Sequence, residues 1–176
     1  MVDQAKEIGK VFLTHYPNIY TPKSATSKEL INKYLGSVSL PGLDQELQSA
    51  LLQPITEIEV AEALRDSPNG KAPGEDCLPA ELYKILFNQI AATLATLFNA
   101  ILDGKKVPSL FTQAVIVSFL KKDGPAEKPD SYHPISLLNN DYKILMKIWA
   151  ARITPLAQGL RHHDQCGFLP GRFISA

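Results

Sequence analysis

Three short stretches set positive charge beside glycine and proline, a pairing suited to contact with phosphate oxygens. Gly70-Lys71-Ala72-Pro73-Gly74 holds a lysine in a tight turn ahead of a helical pattern. Lys121-Lys122 closes a Val/Ile-rich run and precedes Asp123-Gly124-Pro125. Gln165-Cys166-Gly167-Phe168-Leu169-Pro170-Gly171-Arg172 ends a glycine- and proline-fixed backbone path with an arginine. A cation neutralises phosphate, and backbone without side chains approaches a nucleic-acid strand closely. Lys143 and Lys147 lie one helical turn apart and extend the same charge. The Lys71 turn lacks the Gly-x-x-x-x-Gly-Lys-Ser/Thr spacing of a Walker A loop. Each stretch also reads as a structural turn carrying a solvated cation.

Acidic residues argue in the other direction. Metal-assisted phosphoryl transfer needs clustered carboxylates to hold its ions. The sequence has no Asp-Asp pair, and Asp123, Asp130 and Asp141 fall at loop and cap positions, where short polar side chains favour turns. No catalytic residue and no metal ligand is therefore expected among them. His162-His163-Asp164-Gln165-Cys166 lacks the paired ligand spacing of a structural zinc site and reads as a loop.

Bulk properties fit a globular chain. Of 176 residues, 45% are hydrophobic, enough for a packed core. The chain is electrically neutral, yet residues 1–112 carry 10 Lys/Arg against 13 Asp/Glu, and residues 113–176 carry 8 against 5. A nucleic-acid partner is thus expected on the C-terminal part. No apolar run reaches the roughly 20 residues that span a bilayer, so no membrane partner is expected. The first residues lack the apolar core of a secretory signal, and Cys77 and Cys166 make no disulfide framework. Both point to an intracellular compartment, cytoplasm or nucleus.

Residues 1–53 read as an arm or linker, with one helix near Ser27 to Tyr34. Thr56-Glu57-Ile58-Glu59 is a capping box opening a helix that ends near Asp66. Its buried face takes either Ile58, Ala61 and Leu64 or Val60 and Leu64. Residues 67–74 form a loop, and Pro79 suits the first turn of the next helix. Apolar residues from Leu82 to Ile101 predict one long helix, stopped by Gly104 and Pro108. Thr112 to Leu120 predicts a buried strand, paired antiparallel with Tyr132 to Leu138 across a polar loop. Asn140 or Asp141 caps a last helix with Tyr142, Leu145, Met146, Trp149 and Ile153 on one face, and Gly159 closes or interrupts it.

Taken in order, these blocks resemble the opening motifs of a non-LTR (long interspersed element) retrotransposon reverse transcriptase, over about residues 54–172. Lys71, Pro73, Gly74, Asp76, Pro79 and Glu81 match the family's Lys-Ala-Pro-Gly-x-Asp-x-x-Pro-x-Glu opening, while Glu75 and Cys77 stand where the family usually has Pro and Gly. Ser131-Tyr132-His133-Pro134-Ile135-Ser136-Leu137-Leu138 matches the Arg-Pro-Ile-Ser-Leu-Leu block, with His133 in the arginine's place. The resemblance implies that Lys121, with Lys122 as the alternate register, and His133 face the triphosphate of the incoming nucleotide. A neutral imidazole offers one donor where arginine offers a fork, so weaker triphosphate contact is expected. It further implies that Gly167, Phe168, Pro170, Gly171 and Arg172 border the template, and it favours Lys71 as a nucleic-acid contact. Lys143 and Lys147 are expected contacts from the surplus positive charge of residues 113–176.

The implied fold is α+β: helices with a small antiparallel fingers sheet, a truncated reverse-transcriptase fold lacking most of the palm. The implied domains are an arm over 1–53 and a partial reverse-transcriptase domain over 54–176. The implied activity is RNA-directed DNA synthesis on an RNA template and DNA primer, using deoxynucleotide triphosphates. Magnesium is implied for the full-length enzyme and no cofactor for this chain, which is expected to be inactive by itself. The alternative is a non-catalytic RNA-binding or interaction module derived from such an element.

Overall fold

A computed structural model describes residues 4–22, 24, 26–36, 42 and 45–160. It is mixed: eight α-helices and one two-stranded antiparallel sheet among the described residues. The chain divides into two compact units, residues 1–40 with 117–135 and residues 41–116 with 136–176.

β1 (Ala114–Leu120) and β2 (Tyr132–Leu138) pair, and residues 117–120 and 132–135 of this pair belong to the first unit, where α1 (Gln4–Tyr20) lies against its tip. Phe12 stacks on Tyr16 and meets Tyr132 edge-on, with ring centroids 5.7 and 5.2 Å apart. The Tyr16 hydroxyl lies 3.2 Å from Ser118 Oγ, and His15 Nε2 lies 3.4 Å from Asp130 Oδ1. α2 (Lys28–Leu35) starts at Ser27, whose hydroxyl accepts the Leu30 N–H, as the sequence predicts. The sequence gives no sign of α1, because Pro17 reads as a break; it falls inside the last turn of α1.

In the second unit, α3 (Gln45–Leu51) leads to α4 (Glu57–Arg65). The capping box forms as predicted, Thr56 Oγ1 accepting from the Glu59 N–H and Glu59 Oε2 from the Thr56 N–H. Of the two registers, burial selects Val60 and Leu64, and leaves Ile58 71% exposed. The predicted long helix is instead two, α5 (Ala80–Ile85) and α6 (Phe87–Leu102), parted at Leu86, whose φ and ψ of −89° and 8° leave the helical range. The break turns Ile85 to solvent while Tyr83 on one side and Ala91, Leu94, Ala95 and Phe98 on the other stay buried. Pro79 is the residue before α5 rather than its first turn. α6 stops as predicted: Gly104 takes φ +76°, and the Gly104 and Lys105 N–H groups return to Ile101 and Ala100. This is the Schellman arrangement that glycine permits.

A one-turn helix, α7 (Ser109–Thr112), buries Phe111 ahead of β1. The strands form where predicted, but β1 is not buried: Phe119 is 54% exposed, and Val115, Ile116 and Leu120 are also exposed. A two-stranded ribbon presents both faces and both edges, so residue type alone does not bury it. The final helix is α8 (Asn140–Leu160), and Gly159 falls in its last described turn without interrupting it. Its deepest residues are Ile144, Leu145 and Ile148, while Met146 and Ile153 turn outward. The buried face is rotated from the predicted one because α8 packs on α3, α4 and α7 together, which buries a wider arc than one stripe.

Two polar clasps tie this core. Asn99 of α6 accepts the Ile55 N–H at 2.7 Å and donates to the Ile55 carbonyl at 2.9 Å. Arg152 of α8 holds Glu59 through two nitrogens at 2.6 and 2.9 Å and donates to the carbonyls of Leu51, Gln53 and Pro54. The guanidinium fork holds the Glu59 carboxyl below its usual range, against the opposing effect of burial. A lowered folded-state pKa stabilises the fold above the unfolded value of 4.5, and that contribution is lost as pH falls through the folded value. Arg152→Ala is therefore expected to cost about 2–4 kcal/mol at neutral pH. The gap from wild type should narrow progressively below pH 4.5, as urea denaturation at several pH values will measure.

Candidate nucleic-acid interface

The second unit contains an open cleft of about 560 Å³ between the 67–74 loop and the first turns of α8. Lys71 comes from the loop and Lys143 and Lys147 from α8, so three lysines predicted as nucleic-acid contacts share one rim. Leu138, Tyr142 and Met146 make its apolar floor. Lys143 Nζ donates to the Ala72 carbonyl at 3.3 Å, and Lys147 Nζ donates to the Asp66 carbonyl. Lys147 Nζ also lies 3.5 Å from Ser67 Oγ. Each ammonium has three donors, so one bond at Lys143 and two at Lys147 leave capacity for phosphate. Lys71 is exposed.

The loop that carries Lys71 is fastened at both ends. The Gly70 N–H donates to Glu81 Oε1 at 2.5 Å, which holds the Glu81 carboxyl below its ordinary range. Lys84 Nζ reaches the Ser67 carbonyl and Asn69 Oδ1 at 2.7 and 2.6 Å. Gly74 meets the junction of β2 and α8 so closely that a Cβ there would lie 2.0 Å from Asn139 Oδ1 and 2.6 Å from the Leu138 carbonyl carbon. Asn139 is 1% exposed. Its Nδ2 donates to the Leu110 carbonyl at 2.9 Å and its Oδ1 accepts the Asp76 N–H at 3.3 Å. Neighbouring Asn140 donates to the Leu78 carbonyl at 2.6 Å. Asn139, not Asn140 or Asp141, is the residue that precedes α8, its carbonyl accepting the Lys143 N–H. Sequence reading missed Asn139 because its amide serves segments 29 and 63 residues away. The doubled Asn139-Asn140 after an apolar strand was the available signal.

The matched turn carries a trace of its departure from the family. Cys77 adopts φ +57°, the left-handed conformation that favours glycine, at the position where the family usually has Gly. Its N–H still closes the turn onto the Gly74 carbonyl at 3.2 Å. Burial raises the pKa of the Tyr83 hydroxyl to about 12, with the Asp141 and Asp76 charges adding to the shift. Burial likewise pushes the Asp141 carboxyl up.

The predicted nucleotide-facing residues lie in the first unit. Lys121 and Lys122 are exposed after β1, and His133 is exposed on β2. Lys121 Nζ donates to the Asp130 carbonyl at 2.7 Å, and its backbone N–H donates to the Ser131 carbonyl. Gly167, Phe168, Pro170, Gly171 and Arg172, and the His162-His163 stretch, lie outside the described residues. Among the described residues no three His, Cys, Asp or Glu side chains gather in a way that would hold a metal ion. They do not fit the magnesium pair expected of the full-length enzyme. Among the described residues no helix is long and apolar enough to cross a membrane.

No family model matches the chain. It is 30% identical over 165 residues to the probable RNA-directed DNA polymerase from transposon X-element of Drosophila melanogaster, an alignment covering 92% of this chain and 18% of that protein. It is 30% identical over 169 residues to the probable RNA-directed DNA polymerase from transposon BS of the same organism, covering 94% and 18%. Against the transposon TX1 uncharacterized 149 kDa protein of Xenopus laevis it is 28% identical over 159 residues, covering 90% and 12%. The chain is homologous to a segment of the RNA-directed DNA polymerases of non-LTR retrotransposons. It spans less than a fifth of the length of these curated relatives.

Two substitutions test how the cleft is held. Gly74→Ala is expected to cost about 2–3 kcal/mol, since the Cβ meets backbone that has no room to yield. Asn139→Asp keeps the shape but removes the donor to Leu110, and should cost about 1–3 kcal/mol. Chemical-denaturation midpoints of both variants beside wild type check these values.

Proposed function

We propose that this chain supplies the fingers portion of an RNA-directed DNA polymerase, and that its lysine-rimmed cleft grips the sugar–phosphate backbone of a nucleic-acid strand. The observation that carries the reading is the convergence of Lys71, Lys143 and Lys147, 72 or more residues apart from loop to helix, on one cleft. Buried structure fixes both of its walls, so the cations are held in register before a strand arrives. Preorganised charge lowers the ordering cost of binding.

In this reading residues 54–176 carry the polymerase motifs of a truncated reverse-transcriptase fold, and residues 1–53 form the arm before them. Lys121, Lys122 and His133 face the triphosphate of an incoming deoxynucleotide, and Gly167 to Arg172 border the template. The RNA template and DNA primer are the partners. The reacting centre and its magnesium ions belong to carboxylates other than those described, and this chain alone is not proposed to catalyse synthesis.

Fluorescence anisotropy with a labelled single-stranded RNA at several salt concentrations tests the proposal. Each lysine–phosphate pairing removed should flatten the dependence of log affinity on log salt by about 0.7 for a single strand. The Lys71→Ala/Lys143→Ala/Lys147→Ala variant is thus expected to bind more weakly, with a slope lower by about 2. Superimposable wild-type and variant curves would overturn the assignment of the cleft.

A further inference from the structure

We propose that the cleft accepts an unpaired nucleobase of the strand whose phosphates its lysines hold, so that it selects single-stranded nucleic acid over a duplex. This rests on the nucleic-acid reading above and adds the part of the strand that enters. A surface that only tracks a phosphate backbone needs cations and little else. This one has an apolar floor of Leu138, Tyr142 and Met146 beneath the lysine rim. At about 560 Å³ it has the size of a small-molecule pocket.

The floor is built to receive a flat apolar face. Tyr142 is half-buried, with its ring fixed edge-on against Phe111 at a centroid distance of 5.5 Å and an interplanar angle of 65°. Met146 is 39% exposed although it belongs to a helix whose neighbouring Leu145 is 2% exposed. An adaptable thioether beside a fixed aromatic ring is a surface on which any base can lie. Lys143 and Lys147 line the same cleft as Tyr142 and Met146. A base on the floor thus brings its neighbouring phosphates to the rim. Bases in a duplex are paired and stacked and present no free face to the cleft.

The experiment uses the full chain and three single strands of about twelve nucleotides, within the range a single-strand site covers. They are oligouridylate, oligothymidylate and a tetrahydrofuran abasic strand, which keeps the phosphates and lacks the bases; a duplex of equal length is the fourth probe. Base-bearing strands are expected to bind roughly tenfold more tightly than the abasic strand, from the size of base stacking on side chains. Met146→Ala should lower base-bearing affinity roughly fivefold, leave the salt slope unchanged and leave abasic binding unchanged. A preference for uridylate over thymidylate, or the reverse, identifies the source of the base, and both support the inference. Equal affinity for abasic and base-bearing strands in the wild-type chain overturns it, even with the lysine-dependent salt slope intact. Loss of the lysine dependence instead overturns the phosphate reading, so the two failures are distinct.

Discussion

The close approach of Gly74 to Asn139 is the constraint on which the cleft depends. The 67–74 loop and the start of α8 meet there with no space for a side-chain carbon, and the Asn139 amide joins both to the α7 segment. A buried amide that satisfies a carbonyl on one side and an N–H on the other makes three segments move as one. Lys71 is placed by one of those segments, and Lys143 and Lys147 by another. Without the junction, three lysines from distant parts of the sequence have no reason to share a rim.

Arg152 does the same for the opposite end of α4. Its fork holds the Glu59 carboxylate, and its remaining donors collect the carbonyls that precede the helix. Glu59 is at once the capping residue of α4 and the partner of α8, so helix initiation and tertiary packing are a single event there. Such shared use of one group suits a small core, where the 12 buried residues of the main cluster among the described residues must order several short helices.

Local rules carried much of the fold in the sequence. The capping box at Thr56 and Glu59, the Gly104 stop and both strands follow from nearest-neighbour chemistry, and each forms. What failed was decided at longer range. Leu86 parts two helices where periodicity is continuous, and α8 rotates because three elements press on it. The strands are exposed because only a folded neighbour, not a Val/Ile-rich sequence, can cover them. Of the site, the cations were legible as charge beside glycine, yet their convergence was not, because the amide of Asn139 works across the chain. The family resemblance supplied the roles for Lys121, Lys122 and His133, and the homology to retrotransposon polymerases supports the family rather than those roles. Cys77 shows the two kinds of reading meeting: the motif expected glycine, and the backbone keeps glycine's conformation with another residue in place.

Amide hydrogen exchange of the full chain, with and without single-stranded RNA, tests the central claim most directly. Bound RNA is expected to slow exchange in residues 67–74 and 140–147, the two walls of the cleft. Protection confined to other segments, with those two exchanging as in the free chain, would contradict it.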